Sequence, residues 1–255
     1  MISVAILTIL LAFMDISGLP CSLFVNIQIA DIQPMYFTLM ANFVFIGIFA
    51  YLYVKCLCPD WHFGFTTNGL MRGLKQYGIP GILIAILGFF AVYVGLMPFD
   101  LQPSLAKVAV EGVVYYIGVA IVEELYVRGL LLNLIEKLFS KSKHGTCLAI
   151  ICSSVIFGLG HIPGVLGQSA SVIVSKVVWT VGMGLYFGMI YKMTDNLWLP
   201  ILIHFVINVC AIPYCFSSAH GYANLTLAIL VPAYFLLGIY SLWQMKERNR
   251  EGQDD

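Results

Sequence analysis

The chain has 255 residues, 60% of them hydrophobic and 10% charged, with a mean hydropathy of +0.92. A soluble domain carries about 25% charged and about 45–50% apolar residues, so water is not the main solvent for this sequence. Thirteen basic residues balance thirteen acidic ones, which argues against a nucleic-acid partner and against a polybasic lipid-binding patch.

Eight apolar segments follow in chain order, at about 2–26, 35–57, 78–98, 109–135, 146–161, 173–192, 197–216 and 222–245. Most approach the ~20 residues that a ~30 Å hydrocarbon core demands, which predicts an all-α polytopic transmembrane bundle of about eight spans. The first begins Met1-Ile2-Ser3 with no basic residue, fails the test for a signal peptide and is expected to stay as a helix. It also holds Asp15 and the break Gly18-Leu19-Pro20, while the short fifth segment ends at His161-Ile162-Pro163-Gly164. Such breaks are tolerated in a membrane only where neighbours satisfy the freed backbone groups.

Basic residues set the orientation. Lys55, Arg72 and Lys75 flank the second connection, Lys137, Lys141 and Lys143 the fourth, Lys192 the sixth, and Lys246, Arg248 and Arg250 the tail. The opposite connections hold Lys107, with Lys176 just inside the sixth span. By the positive-inside rule both termini are cytoplasmic, in keeping with an even number of spans. The seven cysteines are odd in number, form no C-x-x-C pair and read as small apolar filler. His62, His144 and His220 fall in connections or at span edges and read as solvated.

The most expensive feature is Ile121-Val122-Glu123-Glu124-Leu125-Tyr126-Val127-Arg128-Gly129. Each ionisable group near the bilayer centre costs about 2.5–3.5 kcal/mol on insertion scales. Glu124 and Arg128 are four apart, share a helical face and can pair, which lowers the cost of both. Glu123 lies about 100° around the helix and is left for another role. Next comes Phe157-Gly158-Leu159-Gly160-His161, whose glycines allow close helix approach. His204-Phe205-Val206-Ile207-Asn208 then puts an imidazole and a carboxamide on one face of the seventh span. At ~1.5 Å per residue Glu123, His204 and His161 lie roughly 18, 10 and 22 Å from the cytoplasmic ends of their spans. They are expected to converge on one polar cavity.

A glutamate in such a cavity suits a general base that takes a proton from water, and His161 could orient that water. His204 and Asn208 can both donate to an oxygen on which negative charge develops, with Glu124 and Arg128 in support. Two histidines and a carboxylate also make a catalytic zinc set. Glu123, His161 and His204 would be its ligands, although H-E-x-x-H is absent; the cofactor is none, or zinc.

The pattern Glu-Glu-x-x-x-Arg, then Phe-x-x-x-His, then His-x-x-x-Asn resembles, in order, that of the CPBP family, the CAAX-protease and bacteriocin-processing group of intramembrane peptidases. That group includes the type II CAAX prenyl endopeptidases. The resemblance spans roughly residues 109–216. It divides the chain into N-terminal helices (1–108), a CPBP-like core (109–216) and a last helix with a short tail (217–255). It implies peptide-bond cleavage within or beside the membrane, with Glu123 as base alongside His161, His204 and Asn208 as oxyanion stabilisers, and Glu124, Arg128 and Phe157 as supporting residues. The implied partner is a membrane-associated peptide or protein in a bacterial cell membrane, either CAAX-like or in bacteriocin and peptide maturation or self-immunity. A metal-independent, glutamate-activated water is favoured. Two other readings compete: a transporter or proton relay, and a non-catalytic immunity or scaffold protein whose polar residues only hold helices together.

Overall fold

The computed structural model describes residues 2–17, 29–219 and 224–254. Its helices are α1 (Ile2–Ser17), α2 (Pro34–Leu57), α3 (Leu70–Leu96), α4 (Leu105–Leu138), α5 (Gly145–Leu159), α6 (Ala170–Thr194), α7 (Trp198–Val209) and α8 (Asn224–Asp254). Among the described residues there are no strands, only an isolated bridge between Ile29 and Ile32. Among the described residues seven helical segments, α2 to α8 with α5 continued to Val165 and α7 to Phe216, are long and apolar enough to cross a membrane, and the chain is an all-α polytopic bundle. The first expected span is described as 16 helical residues. The Gly18-Leu19-Pro20 break, Cys21, His220 and the side chain of Asp15 lie outside the described residues.

The third span starts at Leu70 rather than near residue 78. Hydropathy falls at Arg72 and Lys75, but both side chains are exposed while Gly73 and Gly78 pack inward, so the helix runs on beyond its apolar part. α4 is longer than expected at both ends. It contains two π-helical stretches, Val110–Val114 and Leu125–Leu132, a geometry that hydrophobic periodicity does not reveal.

α6 is the innermost helix, packed against α5, α8, α7 and α3. Tyr186, Phe187, Met189 and Ile190 are fully buried on it. Its glycines permit this: a Cβ on Gly182 would lie 2.2 Å from the Tyr234 carbonyl of α8, and one on Gly184 would lie 2.9 Å from Ser154 of α5. Small residues at such crossings are how helices approach closely in lipid.

Pro80 sits inside α3 and deprives its ladder of an N–H. Beside it the Tyr186 hydroxyl of α6 enters the ladder, accepting from the Gly81 amide at 3.1 Å and donating to the Tyr77 carbonyl. Prolines and inserted side chains are where a helix ladder is interrupted.

The connections at the two ends differ. At one end Lys55, Lys137 and Lys192 gather: Lys55 Nζ reaches the Trp61 carbonyl (2.8 Å), Lys137 lies over the Trp61 ring and Lys192 pairs with Glu136 (2.5 Å). His62 is exposed there beside Asp195. At the opposite end the carboxylate of Asp31 accepts both the amide and the hydroxyl of Ser104, and Asp100 does the same with Ser218. These two clamps fasten three connecting loops.

Two outcomes follow from these contacts. Tyr186→Phe leaves the Gly81 amide and the Tyr77 carbonyl without this partner and should lower stability by about 1–3 kcal/mol; denaturant titration in micelles measures it, and an unchanged midpoint would refute the stitch. The Ser104 and Ser218 hydrogen bonds hold Asp31 and Asp100 below the ordinary carboxylate value of 3.8. Their contribution is therefore present above 3.8 and is lost as pH falls through the lower, folded-state value. Amide exchange in residues 97–104 should accelerate on acidification below that value in the parent, and show no such step in the Asp31→Asn/Asp100→Asn variant.

Candidate active site

α4, α5, α6 and α7 build the site. The regular stretch of α4, Tyr115–Glu124, ends where the second π stretch begins at Leu125. Glu123 and Glu124 are therefore its last two residues, and Arg128 lies within the π segment. π segments recur where a helix must aim several side chains at one place.

Glu124 and Arg128 are 0% and 1% exposed, and Arg128 Nη1 donates to Glu124 Oε1 at 3.0 Å. The same oxygen accepts from His204 Nδ1 of α7 at 2.8 Å. Arg128 Nη2 donates to the Gly184 carbonyl of α6 at 3.1 Å. The guanidinium also lies against two rings, 4.8 Å from the centroid of Phe157 and 5.2 Å from that of Phe187. Phe187 in turn stacks on His204, with centroids 5.0 Å apart. One buried cation is thus held by a carboxylate, a carbonyl and two π faces, each of which offsets part of its lost hydration.

Glu123 is 12% exposed at its side chain and points the other way around α4, with Oε2 at 3.7 Å from His204 Nε2. His204 therefore stands between the two glutamates. A carboxylate only accepts, so the hydrogen on His204 Nδ1 is committed to Glu124 and Nε2 is the nitrogen turned to Glu123. The two ring nitrogens of His204 thus link the two carboxylates.

His161 lies at the end of α5 and is half-buried. It joins the cluster through Phe157: its Nδ1 lies 2.8 Å from the Phe157 carbonyl, and the rings meet edge-on at 4.7 Å. The carbonyl again fixes the tautomer, with hydrogen on Nδ1 and the Nε2 lone pair presented outward. The Phe157 ring also meets His204, edge-on at 6.4 Å. Asn208 lies one turn beyond His204 on α7, half-buried; none of these contacts involves its carboxamide. Glu124 Oε2 and Arg128 Nε are buried without a protein hydrogen-bond partner, which are places an internal water serves.

Among the described residues no three His, Cys, Asp or Glu side chains are arranged to hold a metal ion. Glu124 and the Phe157 carbonyl engage the Nδ1 atoms of His204 and His161, which leaves only their Nε2 atoms for a ligand role, and with Glu123 these side chains are not grouped as such a set.

Residues 105–210 match the family model of the type II CAAX prenyl endopeptidases, Rce1-like. This segment is Rce1-like. It holds α4, α5, α6 and α7, so every side chain in the cluster comes from the Rce1-like segment, and the match points to CAAX-type intramembrane protease activity. Together with the seven apolar helices it makes the chain an integral, multi-pass membrane protein. No curated protein and no solved structure matches the chain.

The residue pattern did not single out Gly184, Phe187 or Trp61. Gly184 and Phe187 lie in an all-round buried helix with no amphipathic face to read, and Trp61 in a loop between spans. The signal for Trp61 was available in its setting, a large aromatic beside Pro59 in a short polar connection.

Because Glu124 would be left charged and buried, Arg128→Met should cost about 3–5 kcal/mol of stability. The double variant Glu124→Gln/Arg128→Met should lose clearly less than the two single losses summed. A double-mutant cycle by denaturant titration measures this, and additivity within about 0.5 kcal/mol would show that the pair is not coupled.

Proposed function

We propose that this protein is a glutamate-dependent intramembrane endopeptidase that hydrolyses a peptide bond of a membrane-associated protein or peptide, with Glu123 and His204 at the centre of its chemistry. The observation that carries this reading is the position of His204 between two carboxylates, 2.8 Å from Glu124 and 3.7 Å from Glu123, inside the Rce1-like segment.

In the reactive form Glu123 is ionised and His204 carries both ring hydrogens, one committed to Glu124. Glu123 takes a proton from water while the water oxygen bonds to the scissile carbonyl carbon, and the former carbonyl oxygen becomes the oxyanion. The Nε2–H of His204 donates to that oxyanion, with the carboxamide of Asn208 one turn along the same helix as the second donor. The proton now on Glu123 passes to the leaving nitrogen as the C–N bond breaks, giving a carboxylic acid and an amine. His161, with its Nε2 lone pair outward, orients the attacking water. Glu124 holds the imidazole ring in place, and Arg128 offsets the charge of Glu124. No step requires a metal.

An apolar groove of about 440 Å³ lies between α2 and α4, and its wall includes Ile121, Val122 and Leu125, which flank the glutamates. It offers an apolar substrate segment a surface beside the carboxylates. We place the basic end of the bundle, with both termini, in the cytoplasm, and residues 109–216 as the catalytic core.

The test compares membrane peptides and small proteins in cells carrying the parent, Glu123→Gln or His204→Ala. Each substitution should reduce product release by about 100-fold or more, as expected for loss of a general base or an oxyanion donor, while the protein still folds and inserts. Cleavage retained by both variants would overturn the assignment, and equal protection of cells by Glu123→Gln would favour a non-catalytic role.

A further inference from the structure

Residues 58–69 connect α2 to α3 and run as a strap across the basic end of the bundle. Every helix that carries the polar cluster, except α5, is tied to this strap or to the turn beneath it. The Trp61 indole N–H donates to the Gly129 carbonyl of α4 at 2.9 Å, and the ring is 5% exposed. The Phe63 carbonyl accepts from Tyr191 of α6 at 3.2 Å. The Gly64 carbonyl accepts from the Leu197 amide at the start of α7 at 2.8 Å, and the Asn196 carboxamide reaches the carbonyls of Thr66 and Asn68.

The contact at Gly129 differs in kind from the others, because Gly129 lies within the π segment Leu125–Leu132 and directly follows Arg128. The Asn133 amide, which in a regular α-helix would serve the Gly129 carbonyl, goes to the Leu130 carbonyl. The Gly129 carbonyl instead takes the Trp61 indole and the Asn133 carboxamide at 3.0 Å. A Cβ on Gly129 would lie 3.0 Å from Phe63, so strap and helix are in close contact here. A π segment holds one residue more than regular helix would over the same length. Relaxing it to α-helix shifts register by one residue, a rotation of about 100°, and turns Glu123 and Glu124 relative to everything that follows them. The 2.8 Å contact of Glu124 to His204 on α7 does not survive such a rotation.

We propose that Trp61 is a positioning residue: its indole N–H, given to the Gly129 carbonyl, holds the π register of α4 that aims Glu123 and Glu124 at His204. The word positioning rests on the peptidase reading above, whereas the effect on register does not. Trp61 touches no reacting atom and acts through α4. Lys55 Nζ holds the Trp61 carbonyl, and Lys137 lies over the face of the ring, away from the N–H contact.

The experiment reads geometry without a substrate. A hydrophobic carbodiimide, dicyclohexylcarbodiimide, modifies carboxyl groups in membranes, and mass spectrometry follows the rate at Glu123, with Glu247 in the tail as reference. Trp61→Phe keeps an apolar ring and removes the N–H; it should change the Glu123 rate relative to the reference by about threefold to tenfold, the scale of one net hydrogen bond. Lys137→Leu disturbs the loop but keeps the N–H, and should leave the rate within about twofold of the parent. Benzothienylalanine at position 61, which has the shape of tryptophan and no N–H, is measured in the same way and stands in if Trp61→Phe does not fold. A rate change below twofold in the variants lacking the N–H overturns the proposal, as does an equal change in Lys137→Leu. Cleavage retained by both Glu123→Gln and His204→Ala would remove the peptidase reading and leave this measurement unaffected. Where cleavage is seen, Trp61→Phe should lower kcat with KM unchanged.

Discussion

One oxygen atom, Oε1 of Glu124, organises the interior of this protein. It accepts from Arg128 on its own helix and from His204 on α7, in a place with no exposure to solvent. In a low-dielectric interior an unpaired charge is very costly and a paired one only tolerable. The position of α7 relative to α4 is therefore set by electrostatics, while shape alone fixes most helix crossings in lipid. The rings of Phe157 and Phe187 extend the constraint to α5 and α6 through the guanidinium between them. Four helices thus meet at one ion pair and its histidine.

That constraint also separates two chemically identical side chains. Glu124 is locked, while its neighbour Glu123 retains slight exposure and faces the second nitrogen of the same imidazole. Environment gives the two carboxylates different contacts, one with Arg128 and His204 Nδ1 and the other with His204 Nε2.

The outline of the bundle was legible in the sequence because hydropathy measures the quantity that decides it, the transfer of whole helices into hydrocarbon. The pairing of Glu124 with Arg128 was legible too, since a spacing of four is read directly from the chain. Less accessible were features that depend on register or on long-range partners. The π stretches of α4 leave no mark on apolar periodicity, and α3 continues for two turns past the point where its hydropathy falls. Tyr186, inserted into the helix ladder beside Pro80, and Trp61, bonded to Gly129 across 68 positions, read from the sequence as ordinary aromatics. The sequence named His204 a partner for chemistry; its neighbour Glu124 was assigned only support, because a contact between spans 80 residues apart has no local signature.

The i,i+4 arrangement of Glu124 and Arg128 has a consequence for biogenesis. Both charges belong to a single helical turn, so they can neutralise one another as soon as α4 forms, before any other span is made. The nascent segment then enters the bilayer as a dipole rather than as two ions, and translation need not reach α7 for insertion to become tolerable. The contact of Glu123 with His204 comes from a later span, so this part of the site is completed only once α7 has been made.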